Sequence, residues 1–290
     1  MEGHGVATVL ITAWGTRRRR MSDAPRRPGV SAGVPSVARM NDYFLGGKDN
    51  FAADREAAAK VLALIPDAKE MGEYVQDFRE RVVRYLVEQG VRQFIHVGSG
   101  LPTRQNVHEV AQSLDPGAHV VYVADDPVAL NHARALLATN ERTGAIEGDI
   151  LHPDAMLDDP ALGQLIDFDE PVGVLIIGSL QYIPDENGPF ENVARLCERL
   201  APGSFLCLTH AVFDGRPEIA EQIADVFREA LNRPKGGPRN RDQAVRFFDG
   251  LDLVEPGFVY VRQWRSDISV SKQEEKRAWV LAGVAQKPQA

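Results

Sequence analysis

A short stretch near residue 100 carries the strongest chemical signal in the sequence. The apolar residues 94–97 are followed by Gly98, Ser99 and Gly100, and the pattern after them is helical. A strand that ends in Gly-x-Gly before a helix forms a tight turn, and without a Cβ its backbone can come close to a ligand. We predict that Gly98 and Gly100 bind the flexible part of a nucleoside-bearing cofactor.

Two carboxylates end the next strand-like run. Residues 120–123 are apolar and lead into Asp125 and Asp126. A carboxylate at this place can accept hydrogen bonds from both ribose hydroxyls of a nucleoside, and such charge-assisted bonds are strong. Asp126, followed by Pro127, is also well placed to cap a helix. We prefer Asp125 for the ribose and Asp126 for the cap, although each has the chemistry for the other role.

A third acid follows the run at 144–147. Asp149 can accept a hydrogen bond from an adenine amino group, and Ile150 can form an apolar wall beside the base. An ordinary loop acid is an equally good explanation of Asp149. Thr103 stands where a dinucleotide-binding G-x-G-x-x-G turn has its third glycine, which disfavours a pyrophosphate at the helix start. The pattern therefore favours a cofactor without phosphate, and a turn that binds no ligand is the alternative.

The residues after the run at 172–177 are candidates for contact with the reacting group, because this strand end lies beside the first in an open α/β sheet. Ser179 is assigned to the cofactor site, and Gln181 and Tyr182 could orient a substrate. Gln181 cannot act as a base. The candidates for a catalytic proton acceptor are Tyr182 and His210, and the identity of that acceptor is left open.

These residues must be positioned by alternating strands and helices. Apolar runs predict strands near 93–97, 119–124, 144–147, 172–177 and 204–209, followed by two final strands near 257–264 and 277–284. Helical spacing predicts helices near 52–65, 71–89, 104–114, 127–139, 188–200, 216–231 and 241–249. The predicted fold is α/β, a doubly wound, mostly parallel seven-stranded sheet with an antiparallel C-terminal strand, similar to the Rossmann-like layout of class I methyltransferases.

Composition limits the function classes. Residues 1–40 contain seven Arg and two acids, which gives this segment a net charge of +5. Because the whole chain has a net charge of −8, residues 41–290 carry −13. An acidic body argues against a nucleic-acid-binding surface. Cys197 and Cys207 are predicted to stay reduced, and no spacing of ligands suggests a metal site.

The N-terminal segment is expected to be a disordered, basic tail over residues 1–35, with either Met1 or Met21 as the start of translation. Its apolar residues 6–14 precede the arginines and are too short for a bilayer span, so we expect no membrane association and a cytoplasmic location. The remaining chain, 36–290, is predicted as one domain. Within it, residues 36–90 form a leader with helices and residues 91–290 form the Rossmann-like core.

Three segments resemble a known family. Residues 38–51, residues 98–109 with Leu101-Pro102-Thr103, and residues 247–257 with Phe247-Phe248-Asp249-Gly250 are similar to the actinobacterial S-adenosyl methyltransferase family once catalogued as a domain of unknown function. The resemblance runs from about residue 35 to the end. It implies a class I methyltransferase fold and S-adenosyl-L-methionine as cofactor.

The leader has a role in this interpretation. We predict that residues 39–50 fold over the site as a lid, with Tyr43, Lys48 and Asn50 facing the ligand and Gly46 in the same binding set. The sequence departs from the family at His96 and Ala124, where the family has Asp, and at Gln181, where it has His.

Two functions stay open. The first is a methyltransferase acting on a small-molecule acceptor; the second is a binding protein of the same fold that acts as a sensor or partner subunit. The presence of Thr103 in place of a third glycine and the predicted antiparallel strands at the C-terminal end of the sheet disfavour an NAD-dependent oxidoreductase. The sequence does not identify the acceptor or the oligomeric state.

Overall fold

The computed structural model describes residues 31–231, 239–268 and 279–289. Residues 1–30 of the predicted basic tail lie outside the described residues, as do residues 277 and 278 of the predicted last strand. Within the described part, three helices precede the sheet: α1 (Val37–Phe44), α2 (Ala52–Leu64) and α3 (Ala68–Glu88). α1 begins where Ser36 Oγ accepts a hydrogen bond from Arg39 N at 3.2 Å, which satisfies one of its free amide groups.

The sheet has eight strands. They are β1 (Gln93–Val97), β2 (His119–Ala124), β3 (Thr143–Glu147), β4 (Val172–Ile177), β5 (Phe205–Ala211), β6 (Asp252–Leu253), β7 (Val259–Tyr260) and β8 (Val280–Gln286). Their order is β3-β2-β1-β4-β5-β8-β6, with β7 also paired to β8. The first five are parallel and β8 runs antiparallel to β5. The doubly wound, mostly parallel sheet predicted from the sequence is confirmed, and its order reverses between β1 and β4.

The strand count and the last strands differ from the prediction. The sheet has eight strands instead of seven, because Asp252–Leu253 adds a short strand beside β8. The predicted strand at 257–264 is reduced to Val259–Tyr260. The chain leaves the sheet there because Arg81 on α3 donates to the carbonyl oxygens of Val261 at 2.9 Å and Trp264 at 3.0 Å.

The remaining helices cover both faces of the sheet. They are α4 (Val107–Leu114), α5 (Pro127–His132), α6 (Pro153–Leu157), α7 (Pro189–Glu198), α8 (Pro217–Leu231) and α9 (Arg241–Ala244). α4 begins three residues later than predicted, because Asn106 and Glu109 form a capping box. α5 continues as a π-helix over Ala133–Leu137, and α9 as a 3₁₀-helix over Val245–Phe248.

The core lies in two layers on either side of the sheet, with a third cluster above its carboxyl edge. α3 packs directly on one face, where Phe78 meets Trp264 edge-on at 5.4 Å between ring centroids. The third cluster joins α1, α2 and α8 through Met40, Val61 and Phe227. The leader is therefore packed against α8, a helix that lies nearly 200 residues further along the chain.

Two kinds of feature are not found in the described part of the chain. No helix there combines the length and the apolar composition needed to cross a membrane. Across residues 31–231, 239–268 and 279–289, no group of three or more His, Cys, Asp or Glu side chains could hold a metal ion. Cys197 and Cys207 are both free thiols and buried.

Candidate active site

A cavity of about 630 Å³ opens at the carboxyl ends of β1, β4 and β5. Its volume falls within the range of roughly 300–1,000 Å³ that is typical of small-molecule sites. The lining includes residues of the turn after β1, the turn after β4, the end of β5, the leader, α2, α3 and α8. Because ligands of open α/β sheets bind where the strand order reverses, this is the expected place for an active site.

The turn after β1 has the geometry that its glycines permit. Gly98 and Gly100 have φ values of +67° and +65°, which side chains with a Cβ rarely adopt. A Cβ on Gly98 would lie 3.1 Å from Ser179 Cβ and Oγ, whereas the space beside Gly100 is open. Gly98 thus allows the ends of β1 and β4 to approach each other, and Gly100 leaves its backbone accessible from the cavity.

The leader closes one side of the cavity. Asp42, Leu45, Gly46 and Gly47 line it, and Leu45 packs on α3 against Gly72, where a Cβ would lie 3.1 Å from Leu45 Cδ2. The sequence predicts that the leader folds over the site, and these contacts are consistent with that prediction.

A turn held by Asp42 shapes the end of the leader. Asp42 Oδ2 accepts hydrogen bonds from Asp49 N at 2.9 Å and from Asn50 Nδ2 at 2.7 Å. A Cβ on Gly47 would overlap the Asp42 carboxylate. Glycine is therefore required at position 47 for this turn to form.

Arg39 anchors the leader to the core. Its Nε lies 2.8 Å from Asp54 Oδ2 and its Nη1 lies 3.1 Å from Asp126 Oδ2. Its guanidinium also stands 5.1 Å from the centroid of the Phe51 ring. Asp54, which is fully buried, accepts in addition from the backbone amides of Ser36 and Phe51. We name this group, Arg39, Asp54 and Asp126, the leader clamp; it joins α1, α2 and the end of β2.

A second buried arginine, Arg79, lines the cavity, and no carboxylate within residues 31–231, 239–268 and 279–289 pairs with it. Arg79 is 7% exposed, and its Nη2 donates to Thr103 Oγ1 at 2.6 Å and to Arg104 O at 3.0 Å. Its Nε has no hydrogen-bond partner among the described residues. Burial lowers the pKa of Arg79 from its usual value, partly offset by Tyr122 and Glu109. A guanidinium of this kind is well suited to bind a ligand carboxylate.

His96 lies beside this arginine. It is 3% exposed, lines the cavity, and its Nδ1 has no hydrogen-bond partner among the described residues. Burial, together with the charge of Arg79, lowers the pKa of His96 to about 3. His96 is therefore neutral at physiological pH, and Arg79 is the buried cation beside it.

Several other polar atoms around the cavity are buried without a partner in the described part of the chain. They are Ser99 Oγ, Gln181 Oε1, Thr209 Oγ1 and Trp279 Nε1. Unpaired buried polar atoms are costly and rare in folded proteins. Their concentration around one cavity indicates a site built to form hydrogen bonds with a ligand.

The predicted cofactor residues divide into two groups. Gly46, Gly98 and Gly100 line the cavity. Asp125 is exposed at the end of β2, and Asp126 Oδ1 accepts from Val128 N at 2.8 Å and Ala129 N at 3.0 Å, as expected of a helix cap. These contacts give Asp126 a structural task in addition to the leader clamp. Asp125, which is exposed at the same strand end, remains the preferred candidate for ribose.

Asp149 and Ile150 lie at the end of β3, and both have local contacts. Asp149 Oδ1 accepts from the backbone amides of Leu151 at 2.8 Å and His152 at 3.1 Å. Ile150 is 3% exposed and packs within the core. Ser179 Oγ is buried without a hydrogen-bond partner in the described chain. None of these three is among the residues that line the cavity.

Three leader residues predicted to face the ligand are placed beside the cavity instead of on its wall. Tyr43 packs into the cluster of α1, α2 and α8. Lys48 is exposed, and Asn50 donates to Asp42 as described above. The leader residues on the wall are instead those from α1 and the Gly46-Gly47 turn.

The two catalytic candidates differ in position. Tyr182 lines the cavity, and burial raises its pKa to about 12, partly offset by a hydrogen bond from Gln181. His210 is fully buried, and burial with the charge of Arg239 lowers its pKa to about 4. Its Nδ1 contacts Ala211 O at 2.7 Å and its Nε2 contacts Arg239 Nη1 at 3.3 Å. Neither nitrogen of His210 is directed at the cavity.

Sequence reasoning did not find Arg39, Arg79 or Trp279. A signal for Arg79 was present: it stands among the apolar positions 75, 78, 82 and 86 of α3, where a charged residue is unexpected. Trp279 comes to the cavity because the chain before β8 lies beside the end of β5, where Val212 N donates to Trp279 O at 2.6 Å.

A family model described as S-adenosyl methyltransferase matches residues 23–288. The chain belongs to the S-adenosyl methyltransferase family. The resemblance stated from the sequence is thereby confirmed. The search of curated proteins gives no significant match.

Solved structures agree with this assignment. A Thermobifida fusca protein described as a candidate methyltransferase is 39% identical, with a TM-score of 0.84 over 90% of this chain and 98% of its own. A DUF574 family protein from Streptomyces avermitilis is 35% identical, with a TM-score of 0.82 over 88% of this chain and 98% of its own. An O-methyltransferase family protein from Burkholderia thailandensis, 13% identical with a TM-score of 0.50, covers 82% of this chain and 62% of its own, and shares the fold.

Proposed function

We propose that the protein is an S-adenosylmethionine-dependent methyltransferase that acts on a small-molecule acceptor in the cytoplasm. The observation that carries this proposal is the cavity above the carboxyl ends of β1 and β4. The leader forms one side of it, and its lining includes an arginine that pairs with no carboxylate of the described chain. The family to which the chain belongs supports the choice of cofactor.

The cofactor's parts are assigned to different strand ends. The turn at Gly98 and Gly100 takes the methionyl part, and Arg79 binds its carboxylate through the guanidinium edge that holds the free Nε. Asp125, exposed at the end of β2, accepts from the ribose hydroxyls, and Asp149 at the end of β3 lies on the adenine side. This order follows the order of the strands β1, β2 and β3 in the sheet.

The chain's own residues supply alignment. When bound, S-adenosylmethionine supplies a methyl group that is already activated by a positively charged sulfur. The turn after β1 and Arg79 fix the donor, while the turn after β4, with Gln181 and Tyr182, fixes the acceptor in line with it. The leader closes one side of the cavity beside the reacting atoms, which helps to keep their geometry defined.

Proton removal needs no strong base in this scheme. His96 and His210 have pKa values lowered by burial to about 3 and about 4, and Tyr182 has a raised pKa, so all three stay neutral near pH 7. The acceptor proton therefore passes to solvent. The same observation favours the second candidate, a binding protein that holds the cofactor without turnover, because none of these three residues is a strong base.

Calorimetric titration with S-adenosylmethionine, S-adenosylhomocysteine and NADH tests the proposal. We expect binding of the two adenosyl ligands, and no binding of NADH. Asp125→Ala should weaken both adenosyl ligands by roughly tenfold or more, in line with about 1.5–3 kcal/mol for a hydrogen bond to a charged group. Binding of NADH alone would overturn the proposal, and binding without methyl transfer to any of a broad panel of acceptors would favour the binding protein.

A further inference from the structure

One half of the cavity has a different chemical character from the half that contains Arg79. Above the ends of β4 and β5, its walls come from α2, the start of α3, α8 and the chain before β8. The side chains there are apolar and include Val61, Ile65, Met71, Ile223 and Phe227. We name this half the apolar chamber. By the strand order it lies on the side away from β2 and β3, where the nucleoside is assigned.

Aromatic rings form much of the chamber wall. Phe213 and Trp279 stack with 5.5 Å between ring centroids and an interplanar angle of 10°. Tyr182 and Phe227 meet at 4.6 Å and 60°. Aromatic walls with apolar side chains between them favour a flat, apolar ligand, because ring pairs add to the free energy of burial.

Charge is confined to the edges of the cavity. Of the charged residues that line it, Glu73, Arg104 and Arg228 are exposed, and Asp42 is engaged by Asp49 and Asn50. The buried charge, Arg79, lies at the opposite end beside the Gly98 turn. A charged ligand in the chamber would lose water without gaining a partner charge, so a neutral ligand is favoured.

Three polar side-chain atoms in the chamber nevertheless have no hydrogen-bond partner among the described residues. Gln181 Oε1 is an amide oxygen and can only accept a hydrogen bond, while Nε2 of the same side chain donates to Gly178 O at 3.0 Å. Trp279 Nε1 can only donate, and Thr209 Oγ1 can do either. A hydroxyl group, which both donates and accepts, matches this set, and an N–H group beside an acceptor atom matches it as well.

We propose that the apolar chamber binds the methyl acceptor as a neutral aromatic molecule whose hydroxyl or N–H group faces Gln181 and Thr209. This rests on the proposed function. The acceptor's oxygen or nitrogen lone pair forms the bond to the methyl carbon, the carbon–sulfur bond breaks with its electron pair on sulfur, and the acceptor proton leaves to solvent. The products are the methylated aromatic and S-adenosylhomocysteine.

The first test compares 2-naphthol with 2-naphthoate as probes, by calorimetry on the full chain saturated with S-adenosylhomocysteine. Saturation keeps Arg79 occupied, so the charged probe finds no buried cation, and the remaining lining cations, Arg104 and Arg228, are exposed to solvent. We expect 2-naphthol to bind at least tenfold more tightly than 2-naphthoate. Equal or tighter binding of 2-naphthoate, or no binding of 2-naphthol, overturns the acceptor class. If S-adenosylhomocysteine itself fails to bind, the proposed function fails instead, and the two failures are distinct.

Two substitutions locate the probe. Ala224→Phe places a ring into the chamber from α8 and should abolish 2-naphthol binding while S-adenosylhomocysteine affinity stays within twofold. Gln222→Ala, on the exposed side of the same helix, is the matched control. Thr209→Val keeps the side-chain shape and removes a hydroxyl that has no partner in the described chain, so it should fold normally and weaken 2-naphthol about fivefold. Unchanged 2-naphthol affinity in both chamber variants would show that the probe binds elsewhere.

Discussion

Arg39 and Arg79 are buried to nearly the same degree, at 3% and 7% exposure, but their surroundings differ. Arg39 contacts two carboxylates, those of Asp54 and Asp126, whereas Arg79 donates to neutral oxygens of the loop after β1. A buried cation with carboxylate partners is a structural element, since its charge is already neutralised. A buried cation beside a cavity retains its attraction for an anion when no carboxylate of the described residues pairs with it. This contrast is the basis for proposing that Arg79 binds the cofactor.

The largest expected effect is the loss of folding stability when Arg39 is replaced. Arg39→Met leaves the fully buried Asp54 without its cation, and breaking a buried pair in this way costs about 3–5 kcal/mol. Urea unfolding should show this loss of stability. Arg84→Met, which removes an exposed pair with Glu80, is the control and should cost about 0–1 kcal/mol. Equal losses in the two variants would mean that the leader clamp does not stabilise the fold.

Substitution of Arg79 should mainly weaken ligand binding and should affect folding stability less. Arg79→Met should weaken S-adenosylhomocysteine roughly ten- to hundredfold, because a charge-assisted contact contributes about 1.5–3 kcal/mol. Its loss of folding stability should be smaller than that of Arg39→Met, since no buried carboxylate loses a partner.

A ligand without the amino-acid part is the control for Arg79. 5′-Methylthioadenosine keeps the nucleoside and lacks the carboxylate, so its affinity should be the same for wild type and Arg79→Met. Calorimetry measures both. Equal weakening of the two ligands would assign Arg79 to the shape of the cavity, and not to carboxylate binding.

Substitution in the turn held by Asp42 should cause an intermediate loss of folding stability. Gly47→Ala forces a methyl group into the Asp42 carboxylate, and overpacking of this kind costs about 1–3 kcal/mol. Gly33→Ala, where a Cβ meets no atom within 4 Å, should leave stability unchanged. Differential scanning calorimetry compares the two, and a Gly47→Ala protein as stable as the wild type contradicts the proposed turn.

Near neutral pH, the smallest expected effect is the dependence of stability on pH. The pKa of His96 is about 3 in the folded chain and near 6.5 when unfolded, so between these values the unfolded chain binds the extra proton. Stability should therefore fall as pH falls through this window, by up to about 1.4 kcal/mol per pH unit for this one group.

His96→Asn tests this contribution by urea unfolding between pH 4 and 6.5. The variant should lose stability less steeply than the wild type as pH falls. Gln222→Ala, which removes no titratable group from an exposed position, is the control and should follow the wild-type slope. Parallel curves for His96→Asn and the wild type would show that His96 does not remain neutral in the folded chain.

Much of the fold could be predicted because it depends on local patterns. Continuous apolar runs gave β1, β2 and β4 with correct bounds, since strands covered on both faces need apolar side chains at every position. The last strands were harder. Val259–Tyr260 ends early because Arg81, about 180 residues away, binds the carbonyl oxygens beyond it, and no local pattern records such a contact.

The candidate site was predictable only where one strand end forms it. Gly98 and Gly100 lie in a local turn with a recognisable spacing. Arg79 and Trp279 join them through tertiary packing of α3 and of the chain before β8, so their roles follow only from the folded chain. The double task of Asp126, as helix cap and partner of Arg39, likewise depends on a contact between residues 87 positions apart.

Trp279, which stacks on Phe213, can report binding in the chamber through its intrinsic fluorescence. Trp264 is fully buried against Phe78, whereas Trp279 is among the residues that line the cavity. Entry of an aromatic guest beside that indole should quench or shift its emission, and Trp279→Phe identifies the signal. Occupancy of the chamber can then be followed in real time without any label.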